Sequence, residues 1–424
     1  MPGRGHRVPE QPVFGRRLRE LRVARGLSQA ELVGAELSAA YLSRLESGAR
    51  PPTERVLALL CARLDVSPSE FLAPVSSPLA QALATVATVG ESPQAATLLE
   101  DALLRDGEGD AVLRWHVQWL LARSYQAQGR EADELRVLRA LVALSDEIDL
   151  PDLQARSQVR LARRLRASGQ LNEARTAAGH ALTWATEYKL PFRDVAEATL
   201  TMISIDAETG QLGDARTRAD QLIHALSEDF AGPLTDQIPT RLQVEVLWTA
   251  AGVAVRQGDR TGTAELLRAA LERMPSNDDP VLWMRLRLAA ASMYLQMDPR
   301  DTVCARRTLD EAASAAALVG MPLHQLEVLL LQCQLAFHEG RFADARELSD
   351  RLGPQPEGMS RRDHVALEIL RNQLAIVDGD RAAAQAAMER IAKEARESGN
   401  VELSAEAWRA LAESLSAANG TTPG

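Results

Sequence analysis

Apolar residues recur every three or four positions along nearly the whole chain, which is the spacing of one face of an α-helix. Phe14, Leu18 and Leu21 form such a stripe near the start, and Leu42 and Leu45 form another. Ala, Leu, Arg and Glu, which favour helix, dominate the composition, and aromatic residues make up only 4%. The pattern predicts an all-α protein built from many amphipathic helices.

The stretch from Leu27 to Pro52 contains the beginnings of two short helices, each with its own cap. Ser28 followed three residues later by Glu31 is a capping box, in which each side chain satisfies a backbone amide of the other residue. Ser38 is the N-cap of the next helix, which ends near Gly48. Two short helices joined by so few residues predict a helix-turn-helix.

Two further helices complete a small N-terminal domain. A fourth helix is predicted after Thr53 and ends at Leu64, and Ser67 with Glu70 forms a second capping box that begins a short fifth helix. The composition on either side of these five helices divides this part of the chain into a disordered arm at residues 1–12, a helix-turn-helix domain at 13–73 and a linker at 74–78.

The remainder of the chain is an internal repeat. Each unit contains a helical pattern, a tight turn and a second helical pattern, often with a small Ala five residues after the turn. Helix pairs at this spacing predict a tetratricopeptide-like right-handed superhelix of about eight units over residues 79–418, followed by a disordered tail at 419–424. The turn residues lie 39 to 48 positions apart and are Gly90, Gly129, Gly169, Gly210, Gly258, Pro299, Gly340 and Gly379.

Charge is distributed unevenly along the chain. The whole sequence carries a formal net charge of -10, but residues 1–73 contain eleven arginines and only eight acidic residues. The rest of the chain contains 37 basic and 50 acidic residues. A basic head on an acidic body favours a small DNA-binding domain carried by a larger domain that makes no phosphate contacts.

The sequence also carries information about the cellular compartment. No apolar run is long enough to cross a membrane, and no apolar stretch follows the N-terminal arginines as it would in a secretory signal. Cys61, Cys304 and Cys333 are far apart and odd in number, so we interpret them as free buried thiols, with a redox sensor as the alternative. These features predict a cytoplasmic protein with no membrane partner.

The helix-turn-helix resembles the DNA-binding domains of phage repressors and Cro proteins, the XRE-type family. The matching segments are Leu27-Ser28-Gln29, Tyr41-Leu42-Ser43-Arg44-Leu45-Glu46 and Gly48-Ala49-Arg50-Pro51. The resemblance implies that the helix after Ser38 reads the major groove of double-stranded DNA. It also implies that Glu46 pairs with an arginine of the first helix, here Arg22, to hold the fold. A repressor-like fold that binds protein instead of DNA is the alternative.

Within this domain the residue types predict different DNA contacts. Gln29 begins the second helix and should bond a phosphate, and Arg50, just past the recognition helix, should contact the DNA backbone. The two alanines can pack only against thymine methyl groups, so hydrogen-bonded readout depends on Arg44 and Ser43, with Arg44 on a guanine. The complete predicted set is Gln29, Ser38, Ala39, Ala40, Ser43, Arg44 and Arg50.

The first helix of each repeat is expected to line a concave groove, because stacked helix pairs curve in one direction. Arg and Gln would hold polar groups of a ligand there, and Trp would hold apolar groups. Trp119 and Trp248 are equally consistent with packing inside the repeats, and His338 with a helix C-cap. The predicted ligand-binding set is Trp119, Arg123, Arg163, Arg166, Trp248, Arg256, Gln334, His338, Asn372 and Gln373.

No catalytic or metal-binding motif is recognisable. The seven histidines are scattered without metal-ligand spacing, and the glycines at Gly258 and Gly262 lack the lysine of a phosphate-binding loop. A serine nucleophile motif is also missing. The sequence therefore predicts that the protein is not an enzyme and uses no cofactor and no metal.

The two halves together resemble bacterial regulators with a Cro-like head and a tetratricopeptide-like sensor, including the peptide-responsive quorum-sensing regulators of Gram-positive bacteria. The resemblance implies a homodimer that binds a DNA operator under the control of a peptide or small-molecule effector. In the peptide-responsive group asparagines clamp the peptide backbone, and here Asn372 is the candidate on a first helix. The alternative is a protein-interaction scaffold whose repeats dock a partner protein while the head localises it on DNA.

Overall fold

The structure is a computed structural model of the chain. Within the residues it describes, all regular secondary structure is helical and no strand occurs, which confirms the predicted fold class. The predicted arm at 1–12, linker at 74–78 and tail at 419–424 lie mostly outside these residues. The described residues are 11–34, 36–71, 77–90, 93–106, 110–227, 238–356 and 358–420.

The N-terminal helices pack around one small apolar core. Phe14, Leu18, Leu42 and Leu45 are fully buried in it, and the ring of Phe14 stacks on that of Phe71 with 5.0 Å between centroids. The predicted fifth helix is a single 3₁₀ turn, because four residues are too few for an α-helical ladder of hydrogen bonds. The elements are α1 (Val13–Ala24), α2 (Gln29–Val33), α3 (Ala39–Glu46), α4 (Glu54–Leu64) and the 3₁₀ helix (Pro68–Phe71).

Helix caps fix where α2 and α3 begin. The Ser28 hydroxyl accepts a hydrogen bond from the Glu31 amide at 3.2 Å, and the Glu31 carboxylate accepts one from the Ser28 amide at 2.6 Å. These bonds lower the pKa of Glu31, with the backbone bond from Ser28 as the main cause. The Ser38 hydroxyl caps α3 by accepting from the Tyr41 amide at 3.1 Å. The turn between the two helices is therefore held at both ends by local bonds.

The chain forms two compact units, residues 1–117 and 118–424. In the described part, sixteen further helices form eight pairs, and a last helix, α21, follows them, in agreement with the predicted repeats. The pairs are α5 (Pro78–Val89) with α6 (Pro93–Arg105), α7 (Ala111–Ala127) with α8 (Glu131–Ile148), α9 (Pro151–Ala167) with α10 (Leu171–Glu187), α11 (Phe192–Glu208) with α12 (Leu212–Ser227), α13 (Thr240–Arg256) with α14 (Arg260–Arg273), α15 (Pro280–Gln296) with α16 (Thr302–Val319), α17 (Pro322–His338) with α18 (Phe342–Leu352), and α19 (Arg361–Asp378) with α20 (Arg381–Glu397), and α21 spans Val401–Gly420.

Two features let the helix pairs of the second unit stack closely. Gly169 ends α9 with φ of 79°, a left-handed conformation that admits the sharp turn into α10. Ala174, five residues later, is fully buried and small enough for the helices to cross closely. From α9 to α21, each odd-numbered helix packs against its even-numbered partner and against the next odd-numbered helix. The odd-numbered helices therefore form the inner layer of the stack.

A ladder of arginines, which the sequence analysis missed, joins outer helices to the turn of the next repeat. Arg175, Arg216 and Arg346 each lie six residues after a turn glycine. Arg216 bonds Asp259 beside the next turn at 3.1 Å, and Arg346 pairs with Asp378 in the same way. Each pair is partly exposed, so it contributes about 0–1 kcal/mol and acts mainly on the register between repeats.

Helix α21 lies against helices that are distant in the chain. It packs on α19 and α20 and also contacts α11. Its first residue, Val401, lies so close to the turn at Gly210 that a Cβ added to this glycine would be 3.0 Å from the valine. Within the second unit, the last helix therefore contacts the fourth repeat at α11 and at the turn that follows it.

Candidate nucleic-acid interface and ligand groove

Helix α3 presents one polar face and one apolar face. Leu42 and Leu45 point into the core of the head and are fully buried. Ala39, Ala40 and Ser43 are exposed on the other face, as is the capping residue Ser38. The hydroxyl of Ser38 already accepts the capping hydrogen bond of α3. The main role of Ser38 is therefore to fix where α3 begins.

Two arginines extend from this face. Arg44 is exposed, and its Nε donates a hydrogen bond to the Ala40 carbonyl at 3.2 Å. It makes no ion pair within the part of the chain that the structure describes, so its guanidinium is available to a base edge. Arg50 lies over the ring of Tyr41, 5.0 Å from the centroid, which holds a positive charge just beyond the end of α3.

A buried ion pair fixes α3 against α1. Arg22 and Glu46 form a two-point contact of 2.6 and 3.0 Å, and their side chains are only 12% and 5% exposed. The hydrogen bond to Glu46 raises the pKa of Arg22. The Gln29 amide donates to the same carboxylate at 2.7 Å. Gln29 therefore ties α2 to α3 with one N–H, and its second N–H remains for the predicted phosphate contact.

The predicted groove residues of the earlier repeats are bound to other parts of the protein. Arg163 donates to Thr201 at 3.0 Å, Arg166 to Glu208 at 2.5 Å and Arg256 pairs with Glu402 at 2.8 Å. Burial lowers the pKa of Arg163. Of these predicted residues, Arg123 is exposed. Arg163, Arg166 and Arg256 therefore connect inner helices to one another.

The two tryptophans in the predicted set are partly buried by packing. Arg160 lies over the Trp119 ring at 4.7 Å and donates to the Trp119 carbonyl at 2.9 Å. Trp248 packs against two apolar clusters of the fifth and sixth repeats, and Arg285 lies over its ring at 5.7 Å. Both rings thus take part in packing between repeats, which is the alternative that the sequence left open.

The later repeats enclose a cavity, named here the C-terminal cavity, between helices α15, α17, α19 and α21. Gln334, His338 and Gln373, which belong to the predicted ligand-binding set, line it. Burial lowers the pKa of His338 to about 3, with the Arg300 charge adding to the effect, so this imidazole is neutral at physiological pH. Asn372 does not line the cavity, because its amide donates to the Glu368 carbonyl of its own helix at 2.8 Å.

Helix α21 contributes a charged stripe to the same cavity, which the sequence analysis missed. Glu406, Arg409 and Glu413 line the cavity, and Glu402 lies one turn earlier on the same face. Glu402 binds Arg362 at 2.7 and 3.0 Å, and Glu413 binds Arg300 at 2.5 Å. The spacing of four, three and four residues along one helical face was the available sequence signal.

The described residues contain no cluster of three or more His, Cys, Asp or Glu side chains arranged to hold a metal ion. None of their helices combines the length and the apolar character needed to cross a lipid bilayer.

Comparison with known proteins identifies the head. Residues 13–73 match the family model described as a helix-turn-helix domain. No curated protein matches the sequence. This match agrees with the capped helices α2 and α3 and with the exposed polar face of α3.

Comparison with solved structures concerns the whole chain. A Rap protein complexed with Competence and Sporulation Factor matches with a TM-score of 0.52 at 11% identity, over 96% of this chain and 99% of that one. The apo form of the quorum sensor NprR from B. thuringiensis matches with a TM-score of 0.46 at 12% identity, covering 94% and 97%. PlcR from Bacillus thuringiensis, in complex with the peptide PapR7 and DNA, matches with a TM-score of 0.41 at 15% identity, covering 74% and 98%.

Identities of 11 to 15% support a comparison of the fold alone. Of these three structures, the Rap protein, with a TM-score of 0.52, is the one that supports a shared fold. The chain thus carries a helix-turn-helix domain at residues 13–73, followed by tetratricopeptide-like repeats in a fold shared with a Rap protein.

Proposed function

We propose that this protein is a sequence-specific DNA-binding transcriptional regulator whose repeats bind a peptide or small molecule and thereby control operator binding by a dimer. The observation that carries the proposal is the helix-turn-helix itself. Its α3 exposes a polar face with Arg44, while a buried ion pair holds that helix on the core and the Ser38 cap fixes its start. A fixed helix with an exposed arginine that makes no ion pair within the described residues is what base readout in the major groove requires.

The charge of the head supports DNA as its partner. Residues 1–73 carry an excess of arginine within a chain of net charge -10. Contacts with phosphate groups release counterions, so the affinity should fall steeply as salt concentration rises. If this face bound a partner protein and not DNA, the protein would show no such salt-dependent affinity for DNA.

The small readout surface supports a dimer. Besides Arg44, the exposed face of α3 offers mainly Ser43 and two alanines. One such helix makes few base-specific hydrogen bonds, so a single head would discriminate poorly between sequences. Two heads on half-sites about one DNA turn apart (~34 Å) would supply the missing specificity.

The repeats supply a site for the effector. The C-terminal cavity has polar walls and is built from four inner helices, and its wall α21 is bound by residues of several repeats. The Rap protein of the same fold is complexed with Competence and Sporulation Factor. A ligand that displaces α21 would change the packing of the inner layer. The difference between the ligand's affinities for the original and the displaced arrangement would set the size of the change in operator binding.

Selection of bound sequences from a pool of randomised DNA, with the full-length protein, tests the proposal. We expect an inverted repeat whose half-sites are about one DNA turn apart, with binding that weakens steeply between low and moderate salt. Recovery of random sequences with no shared motif would contradict sequence-specific binding. A single unpaired half-site would contradict the dimer.

A further inference from the structure

The C-terminal cavity has an apolar floor and charged walls. Leu330, Leu331 and Leu370 are buried and form part of the floor. Helix α17 contributes Glu327 to the wall, and α19 contributes Asp363. The cavity therefore combines apolar surface with seven charged side chains, which are Arg300, Glu327, Arg362, Asp363, Glu406, Arg409 and Glu413.

Most charges around this cavity already have partners. Arg362 is bound to Glu402 in a two-point contact, and Arg300 is bound to Glu413 at 2.5 Å. His338 adds no charge, because burial lowers its pKa to about 3. Arg300 and Arg362 are thus committed to carboxylates of α21, while Arg409, on the exposed side of α21, makes no ion pair within the described residues.

Glu327 is different from these groups. Its carboxylate makes no hydrogen bond and no ion pair within the described part of the chain, although it is half-buried. Among the charges around it, Asp363 has the same sign and acts more strongly on Glu327 than Arg285, which has the opposite sign and lies over the Trp248 ring. Burial, and then repulsion by Asp363, raise the pKa of Glu327 to about 7.

An unpaired carboxylate in such a place is costly for the folded protein, and a cation beside it would remove that cost. We propose that the C-terminal cavity binds a ligand that carries an ammonium or guanidinium group on an otherwise apolar body, with Glu327 receiving the cationic group. Asp363 adds to the attraction from α19, while the leucines of the floor hold the apolar part. This inference rests on the proposed function, since it names the chemistry of the effector.

A matched pair of small probes tests the charge preference directly. n-Hexylguanidinium and n-hexylurea have nearly the same shape, but only the first is a cation. Calorimetric titration of the full-length protein with each probe should give at least about tenfold tighter binding of the guanidinium, the effect of one hydrogen bond between charged groups. Equal affinity for the two probes, or binding of neither, would overturn the proposal.

Two variants locate the effect. Glu327→Gln keeps the size of the side chain and removes its charge, so we expect the preference for the guanidinium probe to fall about tenfold or more. Glu347→Gln changes an exposed acid of α18 outside the cavity and should leave the preference unchanged. If Glu327→Gln retains the full preference while its circular dichroism matches that of the parent, another group receives the cation and the proposal is overturned.

These measurements contain no DNA, so they are separate from the test of the proposed function. A protein that binds no DNA motif but prefers the guanidinium probe would refute the regulator and keep the cation site. A protein that binds a specific operator but shows no probe preference would refute the cation site and keep the regulator.

Discussion

Glu402 offers the sharpest test of how helix α21 is held. Its carboxylate lies between Arg256 at 2.8 Å and Arg362 at 2.7 and 3.0 Å, and its side chain is only 10% exposed. One carboxylate thus joins the first turn of α21 to α13 and α19. Substitution of Glu402 by Gln removes the charge and keeps the shape, and it leaves Arg256 without its counter-ion and Arg362 with only Glu406 at 3.6 Å.

The size of the effect follows from the pKa of Glu402. Burial opposes ionisation, but the charges of Arg362 and Arg256 outweigh it and lower the pKa from 4.5 to about 2. Because one pKa unit corresponds to 1.36 kcal/mol, the ionised carboxylate stabilises the folded state by about 3 kcal/mol. That stability is fully present above pH 4.5 and is lost as the pH falls towards 2.

Hydrogen exchange of α21 amides is the appropriate assay, because a repeat array does not unfold in a single two-state step. At pH 7 Glu402→Gln should exchange up to about 100-fold faster in α21 than the parent protein. Glu397→Gln, an exposed acid near the end of α20, is the matched control and should have little effect. Equal protection of α21 in the two variants would refute the idea that Glu402 anchors this helix.

Three further perturbations have defined outcomes. Glu46→Ala should destabilise the head by about 3–5 kcal/mol, because it leaves the buried Arg22 unpaired. Faster hydrogen exchange of the amides of α1 to α3 in the full chain measures this loss. Unchanged exchange would contradict a structural role for the ion pair. Gly210→Ala and Gly258→Ala place a Cβ on glycines with φ of 81° and 76°, and each should cost about 1–2 kcal/mol. Only the Cβ added at Gly210 would contact α21, so only Gly210→Ala should speed hydrogen exchange at the start of α21. Equal exchange in the two variants would contradict the contact between Gly210 and α21. Glu327 has a raised pKa of about 7, so its charge destabilises the folded state increasingly as the pH rises from 4.5 through 7. The melting temperature of Glu327→Gln relative to the parent should therefore be higher at pH 8 than at pH 5, and a difference that is the same at both values would contradict the unpaired carboxylate.

Features governed by neighbours in sequence could be predicted. The caps of Ser28 and Ser38 depend on residues three positions away, and the turn at Gly169 depends on a local left-handed conformation. Apolar spacing likewise identifies the inward faces of the helices, because the α-helix repeats every 3.6 residues. These local signals sufficed for the fold class, the number of repeats and the position of α3.

Features that depend on distant partners could not be predicted in this way. Arg300 and Glu413 are 113 residues apart in sequence, and nothing in their neighbourhoods indicates that the array brings them together. Arg256 was assigned to a ligand, yet the structure pairs it with Glu402 of α21. Asn372 was assigned to a peptide, yet its amide bonds its own helix. Spacing within a repeat predicts on which face of its helix a side chain lies, but it does not predict which residue that side chain contacts.

The central claim is that α3 reads DNA through Arg44. Fluorescence anisotropy with the full-length protein should compare the selected operator with a scrambled duplex of equal length. Arg44→Ala should lose about 1–3 kcal/mol of operator affinity per head and most of the discrimination between the two duplexes. Arg19→Ala, which removes an exposed arginine of α1, should retain that discrimination. Full discrimination in the Arg44→Ala protein would contradict the account.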